Sequence, residues 1–235
     1  MEYSIVVPLY NEEYNLPLLN KELLEVMQTV GSSYEIIYVD DGSTDRSLEV
    51  LKKLKGENPV IKIISFKKNQ GQSCALFAGF REAGGEFIIT LDADLQNPAR
   101  EIPRLLKYLP DFDYVAGIRI KRKDSFLKKT SSRIARLARR VILGDITQDT
   151  GCALKVFKRE ILSTTPFFKN FHRFFTFLVR SQGFRMLEIP VEHRPRKRGS
   201  SKYSICKRFR EGLFDLAGVF WLKRRLLSYE TKCKC

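Results

Sequence analysis

The chain has 235 residues and a formal net charge of +15, long enough for one large domain with a single core. Its 5 cysteines (Cys74, Cys152, Cys206, Cys233 and Cys235) are an odd number without a CxxC pair, which argues against both zinc and a disulfide framework and fits a cytoplasmic, reducing setting. Residues 1–117 carry 12 Lys/Arg against 18 Asp/Glu, whereas residues 118–235 carry 30 against 9, so the second half is suited to an anionic partner, nucleic acid or membrane.

Met1-Glu2-Tyr3 runs into a strand without a basic leader, so no signal peptide is expected. That strand, Tyr3 to Val7, stops at Pro8, and Leu9 to Glu13 leads into a helix over 14–29. Leu16, Leu19, Leu23, Leu24 and Met27 give the helix an apolar face at helical spacing. A second strand, Glu35 to Val39, ends in Asp40-Asp41-Gly42-Ser43-Thr44-Asp45, where Ser43 or Thr44 can cap the helix carrying Leu48, Leu51 and Leu54. A third strand, Val60 to Phe66, gives way to Lys67-Lys68-Asn69-Gln70-Gly71-Gln72 and a helix reaching Ala83. The fourth strand, 86–91, is apolar and β-branched and closes at Asn97-Pro98. Four strand–helix alternations in under a hundred residues predict an α/β fold, a mostly parallel sheet covered by helices on both faces.

The polar residues of this half recur at one topological place. Pro8 to Glu13, Asp40 to Asp45 and Leu91-Asp92-Ala93-Asp94-Leu95-Gln96 all follow the carboxyl end of a strand, where an open α/β sheet keeps its ligand crevice. A lone DxD is more often a turn than a site. Here it is the third of three acidic or amide-rich loops at one edge, and a ligand site is the better reading. Asp92 and Asp94 offer oxygens to one hard cation and Gln96 adds a neutral third, a set suited to Mg²⁺ or Mn²⁺ held against phosphates.

Helix 98–109 and strand 114–118 continue the pattern as far as Arg119 and Lys121-Arg122-Lys123. From Ser125 an amphipathic helix sets Phe126, Leu127, Ile134, Leu137, Val141 and Ile142 among Lys128, Lys129, Arg133, Arg136, Arg139 and Arg140. Six cations without an acid favour an anionic surface over an ordinary solvated face. Asp149-Thr150-Gly151-Cys152 opens a short strand, Ala153 to Phe157, and a Phe-rich helical stretch follows over 167–177, its rings expected mainly in the core. Strand 185–191 leads to a basic loop, Arg194-Pro195-Arg196-Lys197-Arg198-Gly199-Ser200-Ser201-Lys202, whose glycine and serines among cations suit phosphate binding. A last helix, 205–226, places Ile205, Phe209, Leu213, Leu216 and Phe220 on one stripe between basic flanks. Its longest nearly uncharged stretch, Leu213 to Leu222, is shorter than the roughly 20 residues that span a bilayer.

Four of these segments in order, VVPLYNEE (6–13), YVDDGSTD (38–45), LDADLQ (91–96) and RKRGSSKY (196–203), resemble the inverting family-2 glycosyltransferases of GT-A fold. Within that family the likeness is to dolichol-phosphate mannosyltransferase and the bacterial polyprenyl-phosphate glycosyltransferases, with SSRIARL and DTGCALKVFKR resembling the bacterial branch. The resemblance implies a hexosyltransferase that takes a GDP- or UDP-sugar and glycosylates a polyprenyl phosphate. It assigns Pro8, Tyr10, Glu12, Val39 and Asp41 to the nucleotide, with Asp92 and Ala93 beside it. It gives Asp92, Asp94 and Gln96 to the metal, Mg²⁺ or Mn²⁺, and Arg119, Arg196 and Lys202, with Asp94, to the reacting phosphates. Where many relatives carry transmembrane helices, this sequence has an amphipathic helix and a Cys233-Lys234-Cys235 tail that is not a CaaX box. The expected organisation is a catalytic domain over 1–204 and a membrane-associating helix and tail over 205–235, peripheral on the cytoplasmic side of an anionic membrane.

Two rival functions follow from the same residues. A GT-A enzyme acting on a saccharide or protein hydroxyl needs a general base, and Asp149 is the best placed candidate, since the sequence holds only His172 and His193 as histidines. A nucleic-acid binder fits the basic half but leaves the acidic loops without a purpose, and no aromatics interleave with cations as in single-strand modules, so no nucleic-acid partner is expected. A dinucleotide-binding oxidoreductase is disfavoured because no GxGxxG follows the first strand.

Overall fold

A computed structural model describes residues 1–120, 126–195 and 205–225. Its elements in chain order are β1 (Tyr3–Leu9), α1 (Leu16–Val30), β2 (Tyr34–Asp40), α2 (Ser47–Glu57), β3 (Ile61–Ser65), α3 (Gln72–Glu82), β4 (Phe87–Thr90), α4 (Ile102–Leu106), β5 (Tyr114–Arg119), α5 (Phe126–Leu143), β6 (Lys155–Lys158), α6 (Ile161–Thr164), α7 (Phe175–Ser181), β7 (Met186–Val191) and α8 (Ile205–Lys223). The strands form one seven-stranded sheet in the order β3-β2-β1-β4-β6-β5-β7. β6 runs antiparallel to both β4 and β5, while the remaining pairs are parallel.

Consecutive side chains of each inner strand serve opposite cores, as the two-residue period of a strand requires. Ile5, Val7, Ile36, Tyr38, Ile89 and Leu91 pack with Leu16, Leu19 and Leu23 of α1, Leu51 of α2 and Ile102 and Leu105 of α4. Val6, Ile37, Val39 and Ile88 pack on the other face with Ala75, Leu76 and Phe80 of α3 and with Phe171, Phe175 and Val179. Each such side chain removed from water contributes about 1.5–3 kcal/mol, which is why strands buried on both faces read as continuous apolar runs. The polar atoms taken inside are matched: the Tyr38 hydroxyl donates to Asn20 Oδ1 at 3.1 Å, and the hydroxyls of Tyr114 and Thr176 lie 2.8 Å apart.

Three local expectations change. Helix 98–109 resolves into a 3-10 turn, Ala99–Glu101, followed by the five-residue α4. The Phe-rich stretch is not one helix: a 3-10 turn at Phe171–Arg173 precedes α7, and Phe167, Phe171 and Phe175 cluster around Phe80. Ring packing, rather than helix period, sets the spacing of those phenylalanines. Ser43 and Thr44 do not cap α2. Asp45 does part of that work, its Oδ1 accepting from the Ser47 N–H at 3.0 Å.

A third apolar cluster joins Leu143 of α5, Phe174, Phe177 and Leu178, and Leu216 and Val219 of α8. The Lys223 ammonium donates to the Leu143 carbonyl at 2.8 Å across the same seam. Opposite it, Leu137, Val141 and Ile142 of α5, Ile146, and Leu213, Phe214 and Trp221 of α8 are exposed, Phe214 at 82% and Val141 at 75%. No helix among the described residues is long and apolar enough to cross a membrane.

Candidate active site

Parallel pairing fixes the geometry of the site, because β1, β2, β3, β4, β5 and β7 all present their carboxyl ends at one edge of the sheet. Register places Pro8 beside Val39 and Leu9 beside Asp40, so the loops after β1 and β2 leave side by side. They are then stitched together. Asn11, in the left-handed region at φ 57°, donates its N–H to Ser43 Oγ at 2.9 Å and accepts the Thr44 N–H on Oδ1 at 2.8 Å. Glu12 N–H donates to Ser47 Oγ at 2.9 Å, and the Asn15 carboxamide donates to Glu12 Oε2 at 2.6 Å. Gly42, at φ 69°, is required twice: a Cβ there would meet the Lys68 carbonyl carbon at 2.5 Å, and the conformation itself disfavours other residues.

Asp41 anchors the third loop. Its carboxylate accepts the Gln70 N–H at 2.6 Å, the Gly71 N–H at 2.9 Å and the Asn69 carboxamide at 2.9 Å. Burial nevertheless raises its pKa above the ordinary value, with Asp40 adding to the shift and the two N–H donors opposing it. Asp40 itself is held by Ser43 N–H and Ser65 Oγ, both at 2.9 Å. Pro8 and Val39 have buried side chains. The backbone of these two positions, more than their side chains, is what this edge can offer a ligand.

The DxD loop follows β4. Asp92 Oδ1 accepts the Gln72 carboxamide at 2.9 Å, and Asp94 Oδ1 accepts the Gln96 N–H at 3.1 Å. Ala93 points into the core, and Leu95 is also buried although its φ is 62°, a conformation that costs a leucine about 1–2 kcal/mol. That strain folds the loop so that Asp92, Asp94 and Gln96 alternate with two core residues and share its outer side. No group of three or more His, Cys, Asp or Glu suited to a metal is gathered among the described residues. Two carboxylates and a carboxamide are a partial set of hard oxygen donors. It fits a divalent cation whose remaining positions are filled by phosphate oxygens and water.

Arg119, the last residue of β5, meets Asp149 in a bidentate pair, Nε to Oδ2 and NH2 to Oδ1 each at 2.7 Å. The Arg119 N–H also donates to Oδ2 at 3.1 Å, and the Gly151 N–H to Oδ1 at 3.0 Å. Burial alone would raise the pKa of Asp149, but these partners hold it down to about 2. Gly151 lies so close to the guanidinium that a Cβ would collide with NH2. Sequence alone marks Asp149 as a candidate base. The structure makes it the counter-ion and orienting group of Arg119.

Two further residues reach this edge through contacts with the DxD loop that the sequence did not indicate. Gln72 ties α3 to Asp92, and Arg194 ties the segment after β7 to the DxD loop, its N–H donating to the Gln96 carbonyl at 2.8 Å and its guanidinium to Glu22 Oε1 at 2.6 Å. Arg196 and Lys202, expected around the phosphates, lie outside the described residues, as does the Cys233-Lys234-Cys235 tail. On α5, Arg139 turns inward to Asp145 at 3.2 Å rather than joining the outer cations, so the acid missing from the helix sequence lies just beyond it.

A family model described as Glycosyl transferase family 2 matches residues 4–165. The chain is 40% identical over 207 residues to an undecaprenyl-phosphate 4-deoxy-4-formamido-L-arabinose transferase of Pectobacterium carotovorum subsp. carotovorum, covering 87% of this chain and 63% of that protein. The transferase of the same description from Salmonella paratyphi B is 39% identical with the same coverage. The chain therefore spans less than two thirds of the length of these relatives. Among solved structures, glucosyl-3-phosphoglycerate synthase from Mycobacterium tuberculosis in complex with Mg²⁺ and uridine-diphosphate superimposes with a TM-score of 0.70 at 16% identity, covering 92% of this chain and 79% of that one. Its complex with Mn²⁺, uridine-diphosphate and phosphoglyceric acid gives 0.69 at 15% identity, covering 97% and 80%. At such identities the likeness is one of fold.

Proposed function

The chain belongs to glycosyl transferase family 2, and from that premise we propose that it transfers a sugar from a nucleoside-diphosphate sugar to a polyprenyl phosphate of undecaprenyl type. The observation that carries the acceptor class is the Arg119–Asp149 pair. A hydroxyl acceptor must lose its proton during attack and needs a base beside it, but a carboxylate held at a pKa of about 2 by a bidentate arginine is a poor one. A phosphate monoester, with a second pKa near about 6, is already largely dianionic at neutral pH and needs cations instead. The names of the relatives support the same acceptor.

In this reading the loops of Pro8, Tyr10 and Glu12 and of Val39 and Asp41 receive the nucleoside, and Asp92, Ala93 and Asp94 the diphosphate. Asp92, Asp94 and Gln96 would hold Mg²⁺ or Mn²⁺, which when bound neutralises charge on the departing diphosphate. Arg119, with Arg196 and Lys202, binds phosphate oxygens and keeps the nucleophile close to the anomeric carbon. Attack is a single in-line displacement with inversion. The sugar of the named relatives is a pentose, so they lend no support to the hexose that the mannosyltransferase likeness implies.

The exposed apolar side of α5 and α8 is proposed to lie on the cytoplasmic surface of an anionic membrane and to bring the lipid acceptor to the site. What supports it is the exposed run of Leu137, Val141, Phe214 and Trp221 beside Arg136, Arg140 and Arg224, also exposed. The division into a catalytic part, 1–204, and an appended helix, 205–235, goes with this proposal.

Labelled UDP- and GDP-sugars offered in turn with undecaprenyl phosphate, undecaprenol and an oligosaccharide test the assignment. Transfer is expected to the phosphate alone. Transfer to the hydroxyl acceptors and not to the phosphate would overturn it.

A further inference from the structure

Lys155, at the start of β6, is a buried lysine, only 7% exposed. It sits opposite Thr90 of β4 and Ala116 of β5, next to the carboxyl edge. Its ammonium donates to the carbonyl of Cys152. The next two carbonyls are also captured from outside the segment: Thr90 Oγ1 donates to Ala153 at 2.6 Å, and the Gly117 N–H to Leu154 at 3.0 Å. A stretch with no ladder of its own is thus fastened at three successive carbonyls, directly beneath the turn that carries Asp149 and Gly151.

A methionine would fill this space without the cost of taking an ammonium out of water, so packing does not account for a lysine. Its placement does: it pairs with Thr90 on the strand that leads to the DxD loop and donates to the Cys152 carbonyl in the turn that orients Arg119, and so joins the two sides of the site. Burial pushes the Lys155 pKa down, and Asp92 and Asp149 oppose that shift.

Resting on the phosphate-binding role given to Arg119 above, we propose that Lys155 is a positioning residue for that role. By fixing the Cys152 carbonyl it sets the 149–152 turn, and through Asp149 it aims the Arg119 guanidinium at the phosphates. The proposal separates phosphate binding from nucleoside binding, which depends on Asp41 and the loops of β1 and β2.

The test compares binding of uridine with UDP, and of guanosine with GDP, by calorimetry in the presence of Mn²⁺, with thermal unfolding as the control for folding. Lys155→Met is expected to keep nucleoside affinity and lose about tenfold or more of the extra affinity that the diphosphate confers, as for loss of a charge-assisted contact. Lys155→Gln, which keeps a donor for the Cys152 carbonyl, should recover part of it. Gly151→Ala provides a second route should Lys155→Met unfold, because its Cβ displaces the guanidinium from an exposed turn; it should reproduce the selective loss. If the wild type gains from the diphosphate and a folded Lys155→Met keeps that gain in full, or Gly151→Ala keeps it in full, the positioning role is wrong. If the wild type binds neither diphosphate more tightly than its nucleoside, the parent reading fails and this inference with it.

Discussion

Buried carboxylates stand at both edges of the sheet, and the two edges treat them differently. At the amino edge Glu35 accepts from Ser4 Oγ at 2.6 Å and the Gly84 N–H at 2.8 Å, and pairs with Lys62 at 2.6 Å. Asp113 there pairs with Lys158 at 2.8 Å and Arg185 at 3.2 Å. Each acid meets a cation supplied by a neighbouring strand, and the pKa of each is lowered despite burial. At the carboxyl edge Asp40, Asp41, Asp92 and Asp94 are held by hydroxyls, amides and backbone N–H groups. Such partners orient a carboxylate without cancelling its charge, so the amino edge is neutralised for stability, while Asp40, Asp41 and Asp94 at the carboxyl edge are oriented by neutral groups, as the proposed cation site requires. Arg119–Asp149 and Arg194–Glu22 depart from this pattern at the carboxyl edge, and the position of the first marks where phosphate rather than metal is expected.

The sharpest way to break this contrast is to substitute one acid at each edge. Asp94→Asn should lower transfer by about 10²–10³-fold with an unchanged unfolding midpoint, since it weakens the hold on a cation that carries leaving-group charge. Glu35→Ala should do the reverse. It strands the Ser4 hydroxyl and the Gly84 N–H and should cost about 3 kcal/mol in denaturant unfolding, while the fraction that stays folded transfers sugar normally. An Asp94 variant that melts early, or a Glu35 variant that is folded but inactive, would erase the distinction between the edges.

Asp149→Asn comes next in size. Loss of the bidentate pair should cost about tenfold to a hundredfold in kcat/KM through a loosened Arg119, with the shape of the pH–rate profile unchanged. Disappearance of a titrating limb in that variant would instead restore Asp149 as a base and favour a hydroxyl acceptor.

Acid unfolding sharpens the comparison further. Asp113 has a folded pKa of about 2 against an ordinary 3.8, so its stabilisation is present above that ordinary value and is lost as pH falls toward 2. Asp113→Asn should flatten this part of the stability–pH curve. Stability that stays constant from pH 4 to 2 in the wild type would contradict the pairing.

The smallest effect expected is at the outer surface. Val141→Glu with Phe214→Glu should weaken binding to anionic vesicles and make little difference to hydrolysis of a soluble sugar donor. Salt should weaken wild-type binding as well, each cation near the bilayer contributing about 1 kcal/mol before screening. Equal binding to neutral and anionic vesicles would remove the electrostatic part of that role.

What the sequence made legible was local. Strand runs such as Tyr3 to Val7, the recurrence of polar loops at one edge and the DxD after β4 need only periodicity and topology to be seen. Partnerships across some 30 residues were not legible: Ser43 and Thr44 read as helix caps but bind Asn11, and Asp149 read as a candidate base but binds Arg119. The direction of β6 was equally hidden, because four residues buried on both faces look alike in either orientation. The burial of Lys155 gave no signal, since a lysine in a basic half of a sequence is unremarked until it is found inside.

The central claim, that a phosphate oxygen attacks the anomeric carbon, is tested most directly with undecaprenyl phosphate carrying ¹⁸O in its terminal phosphate. Mass spectrometry and NMR of the product should find the label in the bridge to the sugar and the anomeric configuration inverted. An unlabelled bridge or a retained configuration would contradict the account.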